Sequence, residues 1–159
     1  TILGGPINLV MGSEGESRSS RLYRTLVETE LAADVECSME ATIDPYLLQI
    51  SAVVMQGRSH DEVEAAIDNV MNDIATRPVP DEELARARKQ AIASFVYGNE
   101  RITNRAMMMT IAEMVYGLDL LDGYKDRVNS VTVEDIQRVA TRLLRTQNRV
   151  VGRYIPDTA

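Results

Sequence analysis

The sequence predicts an α+β fold, an antiparallel sheet with helices packed on one face, and three observations carry that prediction. Val35, Cys37, Met39 and Ala41 alternate with Glu36, Ser38, Glu40 and Thr42, the two-residue period of a half-buried strand. A second apolar run, Leu47, Leu48, Ile50, Ala52, Val53 and Val54, comes after a turn signal at Ile43-Asp44-Pro45. Helical rather than alternating periodicity then dominates, so strands and helices do not interleave as they would around a parallel sheet.

The elements can be justified in order. Residues 1–18 read as a loop: Pro6, Gly12 and Gly15 interrupt any periodicity, and no G-x-x-x-x-G-K phosphate loop is present. From Arg18 a helix is predicted, with Ser19-Ser20 to cap it and Leu22, Leu26, Thr29 and Leu31 at roughly helical spacing. It should stop near Leu31-Ala32, with the first strand starting at Val35. The denser second run is expected to be covered on both faces or nearly so. Ser59 and Glu62 form a capping box, and Val63, Ile67, Val70, Met71 and Ile74 make one apolar stripe behind it.

Arg77-Pro78-Val79-Pro80 ends that helix and sets up the next. Asp81, Glu82 and Glu83 suit a first turn, where the helix dipole favours negative charge, with Arg86, Arg88 and Lys89 after them. Leu84, Ala87, Ala91, Ile92, Phe95 and Val96 are its expected buried side, and Gly98-Asn99 breaks it. A further helix spans Ile102 to Tyr116, with Ala106, Met109, Ile111 and Met114 inward and Gly117 at its end. The methionines Met107, Met108, Met109 and Met114 read as core filler rather than as a soft-metal or peptide surface. A short segment runs from Leu120 to Val128. Thr132 and Asp135 flank a last helix start, with Val133, Ile136, Val139, Ala140, Leu143 and Leu144 apolar. Arg149 to Ile155 is a predicted strand, stopped by Pro156.

At 159 residues, one domain over 1–159 is the natural reading. Seventeen Lys and Arg against 24 Asp and Glu give a net charge of −7, which disfavours nucleic-acid phosphates as partners. Cys37, the lone cysteine, is expected to be a small buried hydrophobe. No signal peptide or membrane-spanning run is visible. The opening TILGG, without an initiator Met, reads as an excised piece of a longer chain.

SSRLYRTLVETELAA, then a polar strand, a DP turn and LLQISAVV, resembles the C-terminal homologous domain of the pitrilysin/insulinase family of zinc metallopeptidases. The likeness is greatest to bacterial two-domain members related to mitochondrial processing peptidase. It continues through HDEVEAAIDNVMNDIA, VPDEELARARKQAIASFVYG, Tyr116-Gly117 and VNSVTVEDIQRVATRLL. The family's usual LGGG leads almost directly into SSRLY, whereas here Ile2-Leu3-Gly4-Gly5 is followed by PINLVMGSEGESR.

Hydrolysis in that family uses zinc held by H-x-x-E-H and a later Glu, with water activated at the metal. This chain has one histidine, His60, in His60-Asp61-Glu62-Val63-Glu64, which reads as a solvated or capping residue. No catalytic or metal-binding residue is therefore assigned, and zinc is expected in the parent or a partner. The family's substrate-facing Arg and Tyr, just after the SRLY helix, are replaced here by Val27 to Asp34. Arg21 and Tyr23 belong to the SRLY element itself, where ion pairing and packing are the simpler roles. They remain substrate-binding candidates together with Glu36, Ser38 and Glu40, whose face would look into a chamber.

The resemblance implies a noncatalytic half of a zinc metalloendopeptidase, closing the peptide-binding chamber opposite a zinc-binding domain. The alternative is a structural or assembly subunit without proteolytic activity. Implied partners are the chain's own N-terminal zinc-binding domain or a homologous subunit, peptide or unfolded protein, and a second copy as a homodimer. Neither nucleic acid nor membrane is expected as a partner. A bacterial periplasmic location would fit the resemblance.

Overall fold

The structure, a computed structural model, describes residues 1–4, 18–39, 42–44 and 46–156. Its centre is a hairpin of β1 (Ala32–Met39) and β2 (Leu48–Val54), paired antiparallel. Val35 sits opposite Ala52, Cys37 opposite Ile50 and Met39 opposite Leu48; Glu36 faces Ser51 and Ser38 faces Gln49. Because side chains alternate across a pleated strand, these pairs define two faces. Val35, Cys37, Ile50, Ala52 and Val54 look into the core. Asp34, Glu36, Ser38, Gln49, Ser51 and Val53 line the other face. The expectation that β2 would be covered on both faces is corrected: Leu48 is 40% and Val53 59% exposed. Among the described residues helices cover only one side of the two-stranded ribbon, which leaves Val53 on the open face, while Leu48 shares the core-facing parity but stands at the very start of the strand. Pro45 of the expected turn lies outside the described residues, as do Glu40, Ala41 and most of the expected opening loop, residues 5–17.

Helix α1 (Arg21–Leu26) and α2 (His60–Thr76) pack on the inner face. Leu22 and Leu26 are fully buried among Ala32, Val35, Cys37, Val63 and Val70. Ser20, not Ser19, caps α1, its hydroxyl accepting from the Tyr23 amide. The helix is shorter than predicted, and the chain turns at Glu30, which adopts φ +58°. That turn lets the Leu31 amide bond Leu26 O at 2.9 Å and starts β1 at Ala32, three residues before the expected start. Ile2 and Leu3 are tied on by bonds from the Arg21 and Leu22 amides of 3.0 and 3.1 Å. Gly4 then passes so close to β1 that an added Cβ would fall 2.1 Å from Cys37 Cβ. Only glycine fits there.

The capping box predicted for α2 is present, as are its buried Val63, Val70 and Ile74. Helix α3 (Asp81–Gly98) carries three acidic residues in its first turn, as read from sequence. α7 (Val133–Leu143) has a second capping box, between Thr132 and Asp135. Ile74, Val79, Leu84 and Ala140 form a second core where α2, α3 and α7 meet, with Ile136 and Leu144 packed against it. Leu143 is 50% exposed and Val139 39%, contrary to expectation, because α7 turns only one narrow side toward α2. Val96 is also exposed, near the end of α3, while half-buried Phe95 stacks on Tyr124 with ring centroids 4.3 Å apart.

Helix α4 (Ile102–Val115) buries Met108 and Ala112 rather than the expected stripe. Ala106 is exposed, as are Met107, Met109 and Met114 at 41, 44 and 69%. The methionine core reading therefore holds only for Met108. Short α5 (Asp119–Asp122) and α6 (Tyr124–Ser130) come next. Residues 149–155 do not form the predicted strand. Arg149 and Arg153 are held by carboxylates on α2, which places the segment along a helix whose backbone has no ladder to offer.

Candidate functional site

Two groupings stand out: the polar face of the hairpin and an ion cluster beneath it. Glu36 and Asp34 project from β1 beside Ser38, and the register adds Gln49 and Ser51 from β2. Ser38 is half-buried and Glu36 exposed. The inner face anchors this surface, since Val35 and Cys37 sit in the core between its residues. Burial pushes the Cys37 thiol up from its ordinary value, which keeps it a neutral packing group. The face presents hydroxyl, amide and carboxylate groups on a regular pleat, a mixed set of hydrogen-bond donors and acceptors. Glu40 lies outside the described residues.

Arg21 is placed differently. Its guanidinium donates from Nε and Nη2 to Glu83 Oε1 and Oε2, each at 2.9 Å, and from Nη1 to Asp73 Oδ2 at 2.7 Å. The Glu83 hydrogen bond, aided by the charges of Glu83 and Asp73, holds its pKa above the ordinary arginine value against the cost of burial. The planar fork thus ties α1 to α2 and α3. Nearby, Gln90 Nε2 donates to Ser19 Oγ at 3.1 Å. Tyr23 packs against the core cluster under the hairpin. The sequence candidates therefore divide: Glu36 and Ser38 share one surface, and Arg21 with Tyr23 belongs to the frame below it.

Gln49 and Ser51 were missed in the sequence. Their signal was there, two polar residues two apart inside LQISAVV, but the surrounding apolar run masked it. Asp73 and Glu83 were also missed as partners for Arg21, because they lie 52 and 62 residues away. A cleft of about 690 Å³ between Pro78–Arg88 and Thr132–Glu134 had no sequence signal at all.

A zinc site does not fit around His60. It stands at the first position of α2, with Nε2 3.3 Å from the Tyr154 carbonyl oxygen. Its acidic neighbours are committed elsewhere: Asp61 to Arg153, and Glu64 to Arg149 and Arg153. Among the described residues no three His, Cys, Asp or Glu side chains converge as metal ligands would. Nor is any helix among them long and apolar enough to cross a membrane.

The sequence profile of the peptidase M16 inactive domain matches residues 1–91, the span that builds the hairpin, α1, α2 and the first half of α3. The chain belongs to that family. The crystal structure of a candidate zinc protease from Bordetella pertussis Tohama I is 29% identical, with a TM-score of 0.76 over 89% of this chain and 78% of that one. The inactive peptidase domain of a candidate zinc protease from Bordetella parapertussis is 28% identical, with a TM-score of 0.79 over 91% and 79%. A protease from Helicobacter pylori shares the fold at 19% identity, TM-score 0.66, over 87% of this chain and 36% of that one. A search of curated proteins found no match. The resemblance and the α+β class read from sequence are borne out: the hairpin and the helices behind it are those of an M16 inactive domain.

Proposed function

We propose that this M16 inactive domain is the noncatalytic half of a zinc-dependent metalloendopeptidase, closing a peptide-binding chamber opposite a zinc-binding half. The family match carries the reading, and a hairpin with one face in the core and one polar and solvent-facing supports it. The two Bordetella proteins described as candidate zinc proteases favour it over an assembly subunit without proteolysis. Zinc, in this reading, is held by the H-x-x-E-H half, and peptide or unfolded protein is the substrate.

Glu36 and Ser38, with Gln49 and Ser51, are the proposed peptide-facing groups. Arg21 and Tyr23 act beneath them, holding α1 against the hairpin and α3. Among the described residues β2 pairs only with β1, and its other edge would offer backbone groups to an extended chain, which gives affinity with little sequence demand. The test is reconstitution: the chain and the H-x-x-E-H half of the same peptidase, separately and mixed, assayed on a quenched peptide. Activity in the mixture well above that of the zinc half alone supports the reading. Equal activity with and without this chain overturns it.

A further inference from the structure

Residues 149–155 lie along α2 and touch it through charge. Arg149 reaches Asp68 and, at 2.9 Å, Glu64; Arg153 reaches Glu64 and, at 2.7 Å, Asp61. Asp61, Glu64 and Asp68 are three and four residues apart and so share one stripe of the helix. The spacing is matched: seven helical residues rise about 10 Å, and four extended residues span about 13 Å. The segment therefore runs antiparallel to α2, ending with the Tyr154 carbonyl near His60 Nε2.

Apolar anchorage of this contact is slight among the described residues. Val150 is 99% exposed, Tyr154 84% and Ile155 72%, and only Val151, at 47%, is near half-buried. Among the described residues no backbone ladder holds residues 149–155 either. A short 3₁₀ turn at Thr146–Asn148 separates the segment from α7, so it can move without disturbing that helix.

We propose that residues 149–155 are a strap latched to α2 by its two arginines and released when those charges are screened or removed. Glu64 is the keystone, because among the described residues it alone bridges both arginines. Exposed ion pairs weaken as salt shortens the screening length, whereas apolar packing does not. Released, the strap is an extended segment rich in β-branched and aromatic residues, the form that adds to an open sheet edge.

Trypsin reads the latch directly, since it must take the Arg149 or Arg153 side chain away from α2 to cleave there. The intact chain is digested at low and high sodium chloride, with cleavage after these arginines quantified by mass spectrometry. A synthetic peptide of residues 147–157 serves as the unlatched reference at each salt concentration. The strap predicts protection of about tenfold relative to the peptide at low salt, shrinking to near twofold at 1 M salt, where the Debye length is about 3 Å. In Glu64→Gln the protection is already lost at low salt. Protection that does not change with salt in the wild-type chain, or that survives Glu64→Gln, overturns the proposal. The wild-type salt series decides the matter even if the variant folds poorly.

Discussion

Arg21 and Glu83 are joined by two parallel hydrogen bonds of 2.9 Å across 62 residues of sequence. Both side chains are mostly buried, 17 and 16% exposed, and Asp73 closes the third side of the guanidinium at 2.7 Å. This triad fastens the first helix, and with it the hairpin, to the body formed by α2 and α3.

Arg21→Ala leaves Glu83 desolvated without its partner, so a loss of about 3 kcal/mol is expected. Arg21→Lys should recover only part of it, because an ammonium cannot bond both carboxylate oxygens as a fork. Urea unfolding with a double-mutant cycle against Glu83→Gln checks this. A coupling energy near zero would show that the two residues act independently.

The hydrophobic core predicts a ranking. Leu22→Ala and Leu26→Ala, both at 0% exposure, should each cost about 2–5 kcal/mol. Phe95→Ala is expected below the roughly 3–5 kcal/mol of a fully buried ring, because Phe95 is only half-buried against Tyr124. Leu143→Ala and His60→Ala should fall within about 1 kcal/mol of wild type, as partly exposed side chains do. A denaturant series in which Leu143→Ala proved worse than Leu22→Ala would contradict the packing described.

Elements whose own residues decide their structure were legible in the sequence. The α2 stripe and its capping box, the helix start flanked by Thr132 and Asp135, the break at Gly98-Asn99 and the alternation in β1 all rest on local spacing. Elements decided by their neighbours were not. Helix α4 carries three consecutive methionines, so several apolar stripes fit it equally well, and only tertiary packing selects Met108 and Ala112. β2 has the composition of a covered strand, but coverage depends on how many helices reach it. Residues 149–155 have strand composition, yet Arg149 and Arg153 find carboxylates on α2 before any strand edge. At the candidate surface, the alternation showed Glu36 and Ser38, whereas Gln49 and Ser51 needed the register.

The capping boxes give the acid limb of stability a specific origin. Glu62 is held below its ordinary 4.5 by the Ser59 backbone and hydroxyl, and Asp135 below its ordinary 3.8 by Arg138 and Thr132. A carboxylate with a depressed folded pKa contributes stability that is complete above its unfolded pKa and is lost as pH falls through the folded value. Stability should thus decline below about pH 4.5 as these groups take up protons. Ser59→Ala should lower stability by about 1 kcal/mol at neutral pH and flatten that decline in part, since Glu62 still accepts from the backbone N–H of residue 59. Thermal melts from pH 2 to 7 would show an unchanged acid slope if the cap were irrelevant.

The isolated chain should bind no stoichiometric zinc. His60 is its only histidine, and the carboxylates beside it are paired with arginines, so a metal would have to displace Arg149 and Arg153 to gain ligands. Elemental analysis of tag-free protein after dialysis against micromolar zinc is the check. One tightly held zinc per chain would contradict the separation of metal and scaffold between two halves.

The polar hairpin face separates a structural from a functional role. Glu36, Gln49 and Ser51 are exposed, and substitutions at such positions usually change stability by no more than about 0.5 kcal/mol. Glu36→Gln combined with Ser51→Ala should therefore leave the urea midpoint almost unmoved. If these groups contact peptide opposite the zinc half, the same variant should lower kcat/KM of the reconstituted peptidase about three- to tenfold, the loss of one modest hydrogen bond or so. The effect should fall on KM more than kcat, because groups remote from the reacting carbonyl bind ground state and transition state alike. Arg21→Lys is the contrasting control: it should weaken stability first and activity only through it. Unchanged kinetics in the Glu36/Ser51 variant would move the peptide-binding surface away from this hairpin.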